Sequence, residues 1–177
     1  MRKLLGGMIA IASLISAPAI SAETGYLTIK GQKSGEIKGE VTSKGHEGAM
    51  EVVALGYMTS VPTSSSGLAT GRRVMQPVSF TLRWSKATPL LLAAATTNET
   101  LTQVRYQGWG PKPDGTTAEL HEIALTNARI VSLDLKDRNG DENAVDPLVT
   151  ITLSYQKLDM TQTDGGITAT DDWSAAN

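Results

Sequence analysis

The sequence predicts a mainly β domain with a single short helix. Two segments, 78–85 and 149–156, alternate apolar and polar residues over eight positions, which is the period of a half-buried strand. Threonine is frequent inside such runs, and its β-branched side chain suits half-exposed strand positions. Only one stretch, 88–95, has the composition of a helix.

The alternation in segment 78–85 predicts which side of that strand faces the core. Val78, Phe80, Leu82 and Trp84 fall on one side of segment 78–85, so we expect all four side chains, the indole included, to be buried. Shorter apolar or alternating runs complete the set. The further strands predicted, in chain order, lie at 26–30, 50–55, 104–106, around 120–125, at 131–136 and at 149–156.

The helix is predicted from its entry and its composition. Thr88 is a capping-type residue, Pro89 is tolerated in a first helical turn, and the leucines and alanines that follow are strong helix formers. No glycine follows the run, so we expect Asn98 to mark its end. Its leucines must pack against a sheet or barrel.

The first 22 residues are predicted to be a secretory signal peptide. Arg2 and Lys3 precede an apolar run over 4–15, and small residues follow up to Ala22, where we expect cleavage, with Ala19 as the second choice. The apolar run is too short to span a bilayer. We therefore divide the chain into a signal peptide at 1–22, one β domain at 23–165 and a flexible tail at 166–177, and we expect an exported protein, periplasmic or secreted.

Composition limits the function classes. The chain has no cysteine, which excludes disulfides, a thiol nucleophile and Cys-ligated metal. Its net charge is −2, and loss of the leader's two cations makes it −4, which argues against nucleic acid as a partner. After removal of the leader we expect no membrane span.

Catalytic patterns are weak. His46 and His121 are far apart in the sequence and match no metal-ligand spacing. No GxSxG motif identifies a serine nucleophile. Most acidic residues fall in predicted loops rather than on facing strands, where a catalytic carboxylate pair would lie. We therefore expect a protein that is not an enzyme and needs no cofactor.

One predicted loop, 137–143, partly matches a cation-binding motif. Asp137, Asn139 and Asp141 match the first ligands of a calcium-binding EF-hand loop. The pattern then fails at Glu142, where the loop needs glycine, and at Leu148, where it needs glutamate. A hairpin turn centred on Asn-Gly is the simpler interpretation, and the calcium site stays an alternative.

Three other segments lack regular periodicity. Segment 59–73 is long and rich in Ser, Gly and Thr, which indicates a flexible flap or an interaction loop, and it ends on the basic pair Arg72–Arg73. Segment 108–115 is predicted to be a turn, and its Trp109 could anchor a contact or fold back onto the domain. The tail from residue 161, apart from Trp173, is expected to fray.

The order of motifs resembles one family. The opening strand and turn at 26–36, the Gly-Glu lead into a strand at 44–52, the Ser/Gly-rich loop at 59–73 and the Phe-Thr strand with its Lys-Ala-Thr-Pro-Leu helix entry at 79–91 are collinear with the Hcp (haemolysin-coregulated protein) family. Two late strands close the domain in the same order. Hcp proteins are tube subunits of the type VI secretion systems of Gram-negative bacteria.

The resemblance implies a compact β-barrel of two antiparallel sheets with one helix at its side. It further implies hexameric rings that stack into a tube and carry effector proteins, so the expected partners are the chain itself, the secretion spike and effectors. A ring needs a head-to-tail interface that closes. By resemblance the ring or stacking contacts fall in 57–73, with Tyr57, Met58, Thr59, Arg72 and Arg73 as the interface residues.

The leader departs from the family. Tube subunits normally carry no signal peptide, because the contractile machine itself exports them. An alternative therefore stays open: a periplasmic or extracellular binding or adhesin-like module that uses the same fold without building a tube.

Overall fold

In a computed structural model the chain forms a closed six-stranded barrel with additional strands and one helix, which confirms the predicted fold class. The structure describes residues 23–71, 74–136 and 147–174. The predicted signal peptide, Arg72–Arg73 and the calcium candidates Asp137, Asn139 and Asp141 lie outside these residues. The elements are β1 (Thr24–Gly31), β2 (Gly35–Ile37), β3 (Met50–Gly56), β4 (Val78–Arg83), α1 (Ala87–Thr96), β5 (Leu101–Pro111), β6 (Thr117–Lys136), β7 (Leu148–Ser154), β8 (Lys157–Gln162) and β9 (Ile167–Asp172).

The barrel closes in the order β1-β3-β4-β7-β6-β5, and every pair in it is antiparallel. The alternating residues of the predicted strands fill the interior, where Leu27, Val78, Phe80, Ile151 and Leu153 are fully buried. Strand β2 adds to β1, and the β8–β9 hairpin adds to the first half of β6. Strand β6 is therefore shared between the barrel and this outer hairpin.

The helix begins and ends near the predicted residues. Thr88 is not its cap: it lies inside the first turn, buried, and its Oγ1 accepts the Ser85 N–H at 3.2 Å, while Ser85 Oγ accepts the Ala87 N–H at 3.3 Å. Asn98 adopts a positive φ of 51° just after the last turn, which ends the helix as predicted. Leu91 packs into the core, whereas Leu90 and Leu92 remain exposed, so only part of the leucine-rich surface is covered.

Three apolar positions, Trp84, Val131 and Leu135, are about half exposed although alternation placed them on a core face. Strand β4 ends at Arg83, so Trp84 follows the last strand residue and is 48% exposed; the expectation that it is buried was wrong. In β6 the register shifts between Ile130 and Ser132, and this bulge turns Val131 outward while Leu133 still packs against the core.

Two segments expected to be irregular contain strand. Residues 108–111 extend β5, and the turn between β5 and β6 begins only at residue 112. In the tail expected to fray, Ile167–Asp172 forms β9, which pairs along its whole length with β8. Trp173 follows β9, packs against the core and donates its backbone N–H to the Gln156 carbonyl at 3.0 Å.

Candidate functional site

The segment predicted to be a flexible flap or an interaction loop is an irregular hairpin in its described part, which we call the arm (57–71 and 74). Antiparallel bridges join Ser60 to Val74 and Thr63 to Ala69. At its tip the Ser64 N–H donates to the Leu68 carbonyl at 2.8 Å, and the Gly67 N–H donates to the Ser64 carbonyl at 2.9 Å. These bonds give a long projecting loop a defined shape.

The arm exposes apolar side chains along its length. Leu68 at the tip is 71% exposed and Met58 near the base is 62% exposed, and Val61 and Val74 are also accessible. Single exposed apolar residues are ordinary, and the described part of the arm carries four of them. Sequence analysis predicted Met58 and Thr59 here, and both are exposed; Leu68 was not singled out because one leucine among serines and glycines carries no periodicity.

The base of the arm is fixed to the barrel. The Tyr57 ring is half-buried, and Tyr155 Oη lies 3.4 Å from Tyr57 Oη. Tyr155 itself is almost fully buried. Two causes raise the pKa of its phenol: burial, which is the larger, and the hydrogen bond to Tyr57. Tyr57 thus attaches the base of the arm to the core, and the exposed part of the arm begins at Met58.

A second surface covers five strands on one side of the molecule. The register of β1, β5, β6, β8 and β9 places three rows of side chains on one face, which we call the polar sheet face. Nearly all its positions are polar. The rows are Tyr26–Gln107–Glu122–Thr161–Thr168, Thr28–Arg105–Ala124–Asp159–Thr170 and Lys30–Gln103–Thr126–Lys157–Asp172.

Side-chain bonds join neighbouring strands on this face and also run along β8. Arg105 Nε of β5 donates to Glu122 Oε2 of β6 at 2.7 Å, and Thr170 Oγ1 of β9 donates to Asp159 of β8 at 2.6 Å. Within β8, Lys157 Nζ donates to Asp159 at 2.7 Å. The bonds from Lys157 and then Thr170 lower the pKa of Asp159, so that carboxylate stays ionised. The three rows contain three cations and three anions, which makes the face hydrated, balanced in charge and without a large apolar patch.

The two histidines lie near one end of the barrel but serve separate contacts. The His46 ring stacks on Tyr26 with centroids 4.0 Å apart and meets the edge of Trp109 at 4.7 Å. His121 Nε2 lies 3.1 Å from Glu23 Oε1. Trp109 therefore folds back onto its own domain, one of its two predicted alternatives.

Within the described ranges, no group of three or more His, Cys, Asp or Glu side chains is arranged to hold a metal ion. Among the same residues, no helix has the length and apolarity needed to cross a membrane.

A family model described as "Type VI secretion system effector, Hcp" matches residues 26–162. Among curated proteins, the "Major exported protein" of Pseudomonas aeruginosa is 33% identical over 169 residues, covering 86% of this chain and 96% of that protein.

Solved structures show the same fold. A crystal structure of an Hcp protein superposes with a TM-score of 0.79 at 27% identity, covering 86% of this chain and 98% of its own. Hcp1 from Escherichia coli EAEC 042 gives a TM-score of 0.77 at 29% identity, with 86% and 99% covered. Secreted protein Hcp3 from Pseudomonas aeruginosa gives 0.67 at 26% identity, with 86% and 99% covered.

Proposed function

The chain belongs to the Hcp family of the type VI secretion system, and from this premise we propose that it is a non-enzymatic, exported tube subunit that forms hexameric rings able to stack and to carry effector proteins. The observation that carries the proposal is the family match over 26–162 combined with the closed barrel and its ordered, exposed arm. In a ring of identical subunits, each copy contacts its two neighbours through two different surfaces.

The polar sheet face supports a lumen role. A channel wall that binds cargo weakly must remain accessible to water. The bonded Thr161–Thr168 hydroxyls, the Arg105–Glu122 pair and the balanced charges of this face meet that need. We propose that six copies of this face line the channel. Rings labelled with a gold cluster at Thr161→Cys would then show density inside the channel, and rings labelled at Leu92→Cys on α1 would show it elsewhere.

The experiment that tests ring formation is size-exclusion chromatography with light scattering on protein purified after expression of the full chain. The expected mass is six times the subunit mass measured by mass spectrometry. A monomer that persists at high concentration contradicts the ring and favours the binding-module alternative.

The boundaries at residues 22 and 165 form a separate part of the proposal. We propose that 1–22 is removed on export and that 23–165 is the working domain. Mass spectrometry of the exported protein should find Glu23 at its N-terminus. An intact Met1 in cytosolic protein contradicts export by this route.

A further inference from the structure

Three aromatic side chains meet where the arm joins the barrel. Tyr155 directly follows β7 and is 3% exposed, and its hydroxyl donates to Tyr57 Oη at 3.4 Å. Burial and then the bond to Tyr57 raise the pKa of this phenol, and the buried indole N–H of Trp173, which follows β9, acts on it in the opposite direction. The Tyr155 phenol therefore connects the base of the arm to the C-terminal strand.

The backbone around Trp173 is fixed on both sides. Before it, β9 pairs with β8 from Ile167 to Asp172, and the Trp173 N–H itself donates to the Gln156 carbonyl at 3.0 Å. After it, the Ser174 N–H and hydroxyl donate to Asp172 Oδ1 at 2.8 and 2.6 Å. The paired strand and this turn together hold the indole against the core.

Strand β9 has little else to hold it in place. Residues 167–170 are exposed, and among the described residues after Gln162 only Trp173 packs against the hydrophobic core. A segment with few buried apolar contacts opens more readily than the rest of a fold. Strand β9 also lies outside the closed barrel and pairs only with β8, so it can separate while the barrel stays closed.

The arm depends on the same cluster at its base. Of its described apolar and aromatic side chains, only Tyr57 packs against the core, and Met75 does so just after the arm. Beyond Tyr57 the described part of the arm forms backbone hydrogen bonds within itself, such as Thr70 N–H to the Pro62 carbonyl at 2.9 Å. A change in the packing of Tyr57 therefore acts on the arm as a whole.

We infer that Trp173 is a latch through which the C-terminal strand controls the order of the arm. With β9 paired and the indole packed beside Tyr155, Tyr57 has a fixed partner and the base of the arm is held. When β9 separates and the indole leaves, Tyr155 is free to reorient, its bond to Tyr57 is lost and the arm loosens. The inference goes beyond the proposed function, because it concerns one copy of the chain and requires no ring.

The coupling between the arm and β9 is reciprocal, because both act on one cluster. Loosening the base of the arm must release β9 by the same factor by which release of β9 loosens the arm. A side chain that only fills the core lacks this property, since its loss weakens all the strands together. Hydrogen exchange in two places, the arm and β9, therefore distinguishes a latch from a core residue.

The first measurement is hydrogen exchange by mass spectrometry on protein expressed from the full chain. Trp173→Ala should speed exchange in peptides from the arm by at least about tenfold, while peptides from β4 and β7 keep their wild-type protection. Ile167→Ala is the matched control, because Ile167 lies on the same strand, is 70% exposed and does not pack against the core. It should leave exchange in the arm unchanged, and Trp173→Phe, which keeps an aromatic ring, should restore most of the protection.

The second measurement runs in the reverse direction. Tyr57→Ala should speed exchange in peptides from β9 by a similar factor, again without loss of protection in β4 and β7. Met58→Ala is its control, because Met58 is the next residue of the arm and is 62% exposed. This control should leave exchange in β9 unchanged.

Three results overturn the inference. If Trp173→Ala releases β9 and leaves exchange in the arm at the wild-type rate, the two segments are not coupled. If β4 and β7 lose as much protection as the arm, or the variant fails to fold, Trp173 supports the whole domain. If Tyr57→Ala speeds exchange in the arm alone, the coupling is not reciprocal. A wild-type chain that is monomeric by light scattering contradicts the ring and leaves this test unaffected.

Discussion

Glu99 provides the sharpest test of how the helix is joined to the first hairpin. Only 7% of this residue is exposed, and its Oε1 accepts the Lys33 N–H at 2.6 Å, the Ser34 N–H at 2.8 Å and the Ser34 hydroxyl at 3.0 Å. The positive φ of Asn98 ends α1 and directs the chain toward this position. One carboxylate oxygen thus holds the turn between β1 and β2 against the end of α1.

The magnitude follows from these three bonds. A hydrogen bond to a charged group contributes about 1.5–3 kcal/mol, and water can partly replace Glu99 because Lys33 and Ser34 are themselves exposed. We therefore expect Glu99→Ala to lower the free energy of unfolding by about 2–4 kcal/mol. Glu99→Gln keeps an accepting oxygen and should cost about half as much.

The assay is urea unfolding of each variant at neutral pH. The midpoint urea concentrations are compared, provided that the slope of unfolding free energy against urea is the same for all variants. Glu36→Gln is the matched control, because Glu36 is an exposed acid whose partner Lys38 lies 3.6 Å away, and its loss should cost less than about 0.5 kcal/mol. Equal midpoints for Glu99→Ala and Glu36→Gln would refute the reasoning.

The pH dependence supplies a second check. The Ser34 N–H, then the Lys33 N–H and the Ser34 hydroxyl, hold the pKa of Glu99 below its ordinary value. A depressed carboxyl pKa gives stability that is complete above the unfolded pKa of about 4.3 and is lost as pH falls through the folded pKa. The difference between wild type and Glu99→Gln should therefore shrink below about pH 4, and a constant difference down to pH 3 contradicts this assignment.

Three further outcomes are expected. A Cβ on Gly39 would clash with the Ala49 carbonyl oxygen, so Gly39→Ala should lower the melting temperature by several degrees. Gly71→Ala should not, because its Cβ would make only an ordinary van der Waals contact with Pro62 Cγ at 3.9 Å. Phe80→Ala removes a fully buried ring and should cost about 3–5 kcal/mol by urea unfolding. Arg105→Ala breaks the half-exposed pair with Glu122 and should cost less than about 1 kcal/mol, an effect that high salt reduces.

Alternation was sufficient to predict the barrel interior but not the ends of its strands. The pattern from Val78 to Trp84 continues unbroken, yet the chain turns after Arg83 to enter the helix, and the indole moves to the surface. In β6 the sequence Val131–Leu133–Leu135 alternates correctly, but the bulge beside Ile130 changes which side chains reach the core. Both errors arise because periodicity carries no information on where backbone pairing stops or shifts.

The two surfaces proposed to act in assembly were only partly predictable for a related reason. The polar sheet face depends on register among five strands, and no single strand reveals it. Strand β9 was missed because both its faces are largely exposed, so it lacks apolar alternation and depends on pairing with β8. The arm was predicted from its length and composition, whereas its bridges depend on backbone contacts that composition does not encode.

The order of strands in the barrel has a consequence for synthesis. Strand β4 pairs with β3 on one edge and with β7 on the other, and α1, β5 and β6 all separate β4 from β7 in the chain. A ribosome that has completed β6 still leaves one edge of β4 open, so the barrel closes only after nearly the whole domain has been made. Until β7 has been made, the unpaired edge of β4 can pair with neighbouring chains, so the growing chain is open to wrong association for most of its synthesis.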